Sequence, residues 1–174
     1  MSVQSVDLKS VIETAIATVA PIAQAKGVDL NWQTMDELDD FIVMGDRDRL
    51  QQIVSNLLTN AIKFTPTTGS ITIELSRMEN KDKESVACAE IRVIDTGIGI
   101  SAAFLPYIFN RFQQAERSGS AGGLGLGLAI AHHFVELHNG TIEAQSAGEG
   151  QGATFVVRLP LVQPASLTPG SLPT

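Results

Sequence analysis

Residues 56–65 read NLLTNAIKFT, and the reading of that stretch decides how the rest of the chain is organised. Leu50, Ile53, Val54, Leu57, Leu58, Ala61 and Ile62 recur at i, i+3, i+4 and i+7, which predicts an amphipathic helix with one buried stripe. Asparagine is a poor helix former, because its short amide competes for backbone hydrogen bonds. Yet Asn56 and Asn60 stand one turn apart with Lys63 three residues further on, so the three line a face next to the stripe. That face offers amide oxygens suited to a hard cation such as Mg²⁺, and an ammonium suited to an anion. A solvated helix face that happens to carry two amides is the other reading of this segment taken alone.

On the N-terminal side, Leu8 to about Lys26 reads as a helix capped by Asp7 and ended by Gly27, with Val11, Ala15, Ile16, Val19 and Ile22 at helical spacing. Short strands are predicted at Val28–Trp32 and Phe41–Met44, and Asp46 caps the asparagine helix. On the C-terminal side, GSITIEL (69–75) and SVACAEIRVI (85–94) read as strands joined by the charged turn MENKDKE (78–84). SAAFLPYIFNRF (101–112) reads as a short helix broken near Pro106. QQAERSGSAGG (113–123) has the composition of a flexible turn. A helix over 126–140, closed by Asn139-Gly140, precedes two last strands near 140–146 and 152–161. From Val162 on, three prolines in thirteen residues with Ser and Thr predict a linker or tail. Helices and strands are mixed without strict alternation, which predicts an α+β two-layer sandwich: a mixed sheet against about three helices.

Two glycine-rich segments add chemistry. VIDTGIGI puts Asp95 at a strand end, followed by Gly97 and Gly99. A carboxylate only accepts hydrogen bonds, and adenine offers an exocyclic amino donor where guanine offers an acceptor, so a fixed Asp selects adenine. GGLGLGLAIA sets Gly122, Gly123, Gly125 and Gly127 just before a helix, whose first N–H groups form an anion site. The spacing is neither the dinucleotide fingerprint nor a P-loop. Each segment alone also reads as an ordinary glycine turn. Together with the asparagine face they describe one ligand: Mg²⁺, an adenine and phosphates.

Composition bounds the rest. The 174 residues are 44% hydrophobic and 18% charged, enough for one globular domain with its own core. A net charge of -7 argues against nucleic acid or an anionic membrane as the main partner, while allowing a locally positive pocket. With Cys88 as the only cysteine no internal disulfide forms, which points to a reducing compartment. No apolar run approaches a membrane span and no signal-peptide pattern opens the chain, so a cytoplasmic location is expected, with no membrane contact by this segment.

In this order the motifs resemble those of the catalytic, ATP-binding domain of sensor histidine kinases, of the Bergerat type shared with gyrase, mismatch-repair and heat-shock ATPases. NLLTNAIKFT is similar to the family's asparagine box, DTGIGI to its first glycine box, FLPYIFNRFQQ to its phenylalanine box, GGLGLGLAIA to its second glycine box and GQGATF (150–155) to its closing glycine motif. The resemblance covers roughly residues 5 to 161, and implies a catalytic domain over 1–161 followed by the tail 162–174. It implies that Asn60 ligates Mg²⁺, that Asn56 and Lys63 contact phosphates, and that Asp95 binds the adenine amino group with Thr154 nearby through water. Gly97, Gly99 and Ile100 would shape the base pocket, and Phe109 and Phe112 would anchor a flexible ATP lid. Gly123, Gly125, Leu126, Gly127 and Leu128 would wrap the phosphates. The lid is short and carries Arg117 as its one cation, so Arg117 or Gln114 is the candidate for the terminal phosphate. None of His132, His133 or His138 is followed by the acid that marks the family's phosphoacceptor. The implied activity is therefore phosphoryl transfer from MgATP to a histidine on a separate dimerisation domain, with a response regulator downstream. A superfamily ATPase and a purely nucleotide-binding regulatory module are the alternatives.

Overall fold

The asparagine helix forms as α2 (Arg47–Phe64), and Asp46 starts it: its carboxylate accepts from the N–H groups of Asp48 and Arg49 at 3.0 and 3.2 Å. All seven apolar stripe residues are buried. At the other end Lys26 donates from Nζ to the carbonyl oxygens of Ile62 and Lys63 at 2.7 and 2.9 Å. This satisfies two terminal carbonyls and sets a positive charge at the negative end of the helix dipole. The computed structural model describes residues 1–35, 40–79, 86–110 and 126–162. The turn expected at 78–84, the loop at 113–123 and the tail from 162 fall wholly or partly outside them, as do the candidates Phe112, Gln114, Arg117, Gly123 and Gly125.

Lys26 is the last residue of α1 (Leu8–Lys26), which has the expected Asp7 cap and ends at Gly27. Leu8, Val11, Ile12, Ala15, Val19 and Ala23 form its buried side. Ile22, expected on that stripe, is exposed: it follows Pro21 at the surface, and Ala23 takes the inward position of that turn. Before α1 lies a strand too short to show in the sequence pattern, β1 (Gln4–Asp7), which pairs antiparallel with β3 (Ile42–Gly45).

The main sheet holds β2 (Asp29–Thr34), β4 (Ser70–Met78), β5 (Cys88–Asp95), β6 (Thr141–Gln145) and β7 (Ala153–Pro160) in the order β2-β4-β5-β7-β6. β2 runs parallel to β4, and every other pair is antiparallel. The register aligns Ile73 and Leu75 with Val93 and Ile91, and Val93, Ile91 and Ala89 with Phe155, Val157 and Leu159, while Ile71 stands opposite Asp95, so one face of the sheet joins the helices in a common core. The other face is polar, with Arg158 donating to Glu90 at 2.9 Å and reaching Glu143 at 3.4 Å. Val162 still donates to Ile42 at 2.8 Å, so backbone pairing runs through the residue where the tail begins.

α3 (Gly127–Leu137) completes the helix layer with Ala131 and Val135 buried, and Asn139 leaves it at φ 59°. His138 pins this end. Its Nε2 accepts from the backbone N–H of Asp46 at 3.0 Å, so Nδ1 carries the proton and donates to the carbonyl of Phe134 at 2.6 Å. Of the helix expected over 101–112, the described residues 101–110 form one 3₁₀ turn, Leu105–Tyr107, amid successive tight turns. Pro106 has no N–H to continue an α-helical ladder, so the chain advances by i to i+3 bonds.

Lys26→Met removes the cation that caps α2. We expect a loss of about 1–2 kcal/mol and a fall in Tm of about 2–8 °C, read by thermal unfolding; an unchanged Tm would contradict the capping role.

Candidate functional site

The alternation of β5 carries Ala89, Ile91 and Val93 into the core, and the same phase carries Asp95 to the helix side of the sheet. Asp95 is 7% exposed. Its Oδ1 accepts from the N–H of Gly97 at 2.8 Å and of Ala153 at 3.2 Å. Its other oxygen meets no donor among the described residues. Burial raises its pKa above the ordinary 3.8, and the two backbone N–H bonds offset part of that rise. The segment after it presses on α2. A side chain at Gly97 would collide with the carbonyl of Phe64, to which Ile98 donates at 3.0 Å. Gly99 adopts φ 73°, and a side chain there would collide with the carbonyl of Gly148.

The asparagine face lies beside these elements. Asn56 donates from Nδ2 to the carbonyl of Gly127 at 2.9 Å, and its Oδ1 accepts from Gln52. α2 thus meets the start of α3 at Asn56 and the glycine segment at Phe64, eight residues on, about 12 Å along the helix. Asn60 and Lys63, both half-buried, fall between or beside those contacts, and the Lys63 ammonium lies 5.2 Å from the Phe64 ring centre. Among the described residues no side chain caps α3 at Leu126, and a helix start of this kind suits an anion. Leu128 and Ile100 pack against the core. Phe109 stacks on His132 at 5.4 Å and meets Phe155 edge-on at 6.1 Å, which fastens the 3₁₀ segment to α3 and β7.

Thr154 does not join this group. It pairs with Ile94 and so points to the face of the sheet opposite Asp95; Ala153 stands across from Asp95 instead. The position was misread because a one-residue shift in a strand reverses the face. Sequence reasoning also missed Ser146, Gln52 and Ala153. A Ser two residues before a glycine is a recognisable turn signal for the first; the others act through a helix spacing and a backbone N–H that no residue type announces.

The family model of histidine kinase-, DNA gyrase B- and HSP90-like ATPases matches residues 45–163, and the chain belongs to this family. It is 36% identical over 185 residues to hybrid signal transduction histidine kinase D of Dictyostelium discoideum, across 92% of this chain and 12% of that protein. It is 36% identical over 161 residues to sensor histidine kinase ZraS of Escherichia coli (strain K12), across 92% of this chain and 32% of ZraS. The solved structure of full-length ShkA in complex with AMPPNP superposes with a TM-score of 0.76 at 28% identity, covering 94% of this chain and 32% of that one. The chain spans about an eighth to a third of the length of these relatives. The fold is that of a sensor histidine kinase catalytic domain, and membership in an ATPase family makes ATP its ligand.

Asp95→Asn keeps an oxygen for Gly97 and Ala153 but removes a desolvated charge. The native carboxyl binds its proton more tightly than the unfolded one. Its contribution to stability is therefore present below pH 3.8 and lost as pH rises through the elevated native pKa. At neutral pH the ligand-free variant is expected to melt no lower than the parent, while ATP affinity falls roughly ten- to hundredfold. Parent affinity itself should decline as acidification protonates Asp95. Calorimetry with a fluorescent ATP analogue reads both; equal affinities would sink the assignment.

Proposed function

We propose that this domain holds MgATP for transfer of the γ-phosphoryl group to a histidine on a separate dimerisation domain of the same protein, with a response regulator downstream. The observation that carries the reading is the Asp95 carboxylate, with one oxygen held by two backbone N–H groups and the other without a donor among the described residues. That oxygen would accept from the adenine amino group, with Gly97, Gly99 and Ile100 forming the pocket around the base. Asn56, Lys63 and the first N–H groups of α3 at Gly127 would hold the phosphates. Gly123, Gly125, Gln114 and Arg117 would complete that side, with Arg117 or Gln114 at the terminal phosphate.

The donor set suits Mg²⁺. Among the described residues no group of three His, Cys, Asp or Glu side chains gathers. What α2 offers is the neutral amide oxygen of Asn60, the kind of single protein ligand that fits a cation keeping waters and phosphates. Bound there, the ion would supply charge neutralisation at the phosphates. The protein's own work is positioning: a base held near the Phe64 end of α2 and phosphates held from its middle, at Asn56, would leave the terminal phosphoryl presented to an incoming nucleophile.

An ATPase of the wider superfamily would need a glutamate general base at the position of Asn56. The Asn56 amide donates to Gly127 and accepts from Gln52, and an amide cannot take a proton from water. The regulatory-module alternative is separated by a transfer assay. Residues 1–161 serve as the catalytic domain and 162–174 as a linker in this reading. A cytoplasmic location agrees with the absence, among the described residues, of a helix long and apolar enough to cross a membrane.

Asn60→Ala removes the proposed metal ligand while installing a better helix former. The expected result is an unchanged or higher Tm and an ATP affinity that Mg²⁺ no longer improves. If Mg²⁺ helps the variant as much as the parent, Asn60 is not the ligand.

The chain alone is expected to bind ATP without labelling itself. His138 is buried with both ring nitrogens engaged, and His132 stacks on Phe109 and pairs with Glu136 at 3.3 Å. These histidines lie on, or at the end of, the helix that begins at the phosphate loop, so none can come in line with the donor. Labelled ATP, given with and without a separate dimerisation domain, tests this. Acid-labile label on the isolated chain would overturn it, and no label on the added domain would favour the regulatory module.

A further inference from the structure

Past the end of the β5–β7 ladder, two loops stay joined by three rungs. Gly152 donates to the carbonyl of Gly97 at 3.1 Å and Gly150 to that of Ile98 at 2.7 Å. The third rung is a side chain: the N–H of Ile100 donates to the hydroxyl oxygen of Ser146 at 3.0 Å. The same oxygen accepts from the N–H of Gly148 at 3.2 Å. Its proton goes to the carbonyl of Gly152 at 2.7 Å, with that of Gly148 further off at 3.3 Å. One hydroxyl therefore closes the 146–152 loop on itself and ties it to the 97–100 segment. Both tied segments end on the Asp95 carboxylate, whose Oδ1 is held by Gly97 on one side and by Ala153, the residue after the loop, on the other.

We infer that Ser146 is a positioning residue for the base pocket: its hydroxyl fixes the two glycine loops against each other and so sets the orientation of the Asp95 carboxylate. The inference rests on the nucleotide reading above. Removing the hydroxyl leaves the half-buried N–H groups of Ile100 and Gly148 without their acceptor, and the pocket wall is then held by two rungs. The wall would shift where Gly97 meets Asp95, so the loss would be felt as weaker and less base-selective binding.

The test compares the parent chain with Ser146→Ala and with Ser146→Thr, which keeps a hydroxyl. Affinities for fluorescent ATP and GTP analogues are measured beside amide hydrogen exchange at Ile100 and Gly148 in the nucleotide-free protein. The expected result for Ser146→Ala is a loss of ATP affinity of about tenfold. It should also show a smaller ATP-to-GTP preference and faster exchange at both amides, with Ser146→Thr close to the parent in all three. A merely stabilising serine would lower the Tm without moving the base preference. If the parent binds ATP and Ser146→Ala binds as tightly with the same preference, the positioning role is overturned while the nucleotide reading stands. A parent that binds no ATP overturns the nucleotide reading and this inference with it.

Discussion

The buried seam of α2, from Leu50 to Ile62, is the surface against which α1, the sheet and α3 are all set. Its apolar half supplies the contacts that hold the layers together, and its adjacent half supplies the amides and the ammonium. The two halves constrain each other. A helix held rigidly by seven buried side chains has no freedom left to re-aim its polar face, so the direction of Asn56, Asn60 and Lys63 is set chiefly by the apolar stripe beside them. The termini extend this. Asp46 sets where the helix starts, and Lys26 fixes where it ends.

Asp95 shows the opposite relation, a group that the fold keeps against its own stability. A carboxylate in the core phase of a strand is desolvated, and two backbone N–H groups compensate only in part. The fold surrounds it with glycines, Gly97, Gly99 and Gly152, where a side chain would collide with neighbouring backbone. A desolvated carboxylate at one strand end, ringed by obligatory glycines and beside a helix that keeps asparagines in its interior, marks the place where the sequence departs from the rules that stabilise the rest of the chain.

Much of this was legible. The stripe of α2 follows the helical template closely, and every residue read as buried there is buried. Caps at Asp7 and Asp46 and the strands of the main sheet also came through, because local chemistry and tertiary packing agree at those points. What failed did so where tertiary facts decide. Four residues of β1 carry too little alternation to be seen without their partner β3. The break near Pro106 was expected, but in the described residues only one 3₁₀ turn forms around it, an extent that apolar spacing does not report. Thr154 was placed near the base by resemblance to the family's closing glycine motif, which does not report the face from which a strand residue points. The join through Ser146 depends on two loops about fifty residues apart in the chain, and no local signal reports such a meeting.

α3 runs antiparallel to α2 and is bolted to it at both ends, by Asn56 at Gly127 and by His138 at Asp46. The placement of this helix is thereby independent of the length of the chain that leads into it. Closing a longer loop costs little, about 0.6 kcal/mol for each doubling. A change in the length of the connection into α3 therefore leaves the contacts that fix α3 on α2 in place. That freedom makes the connection the part of the domain where sequence can diverge, and be re-engineered, at the least expense to the fold.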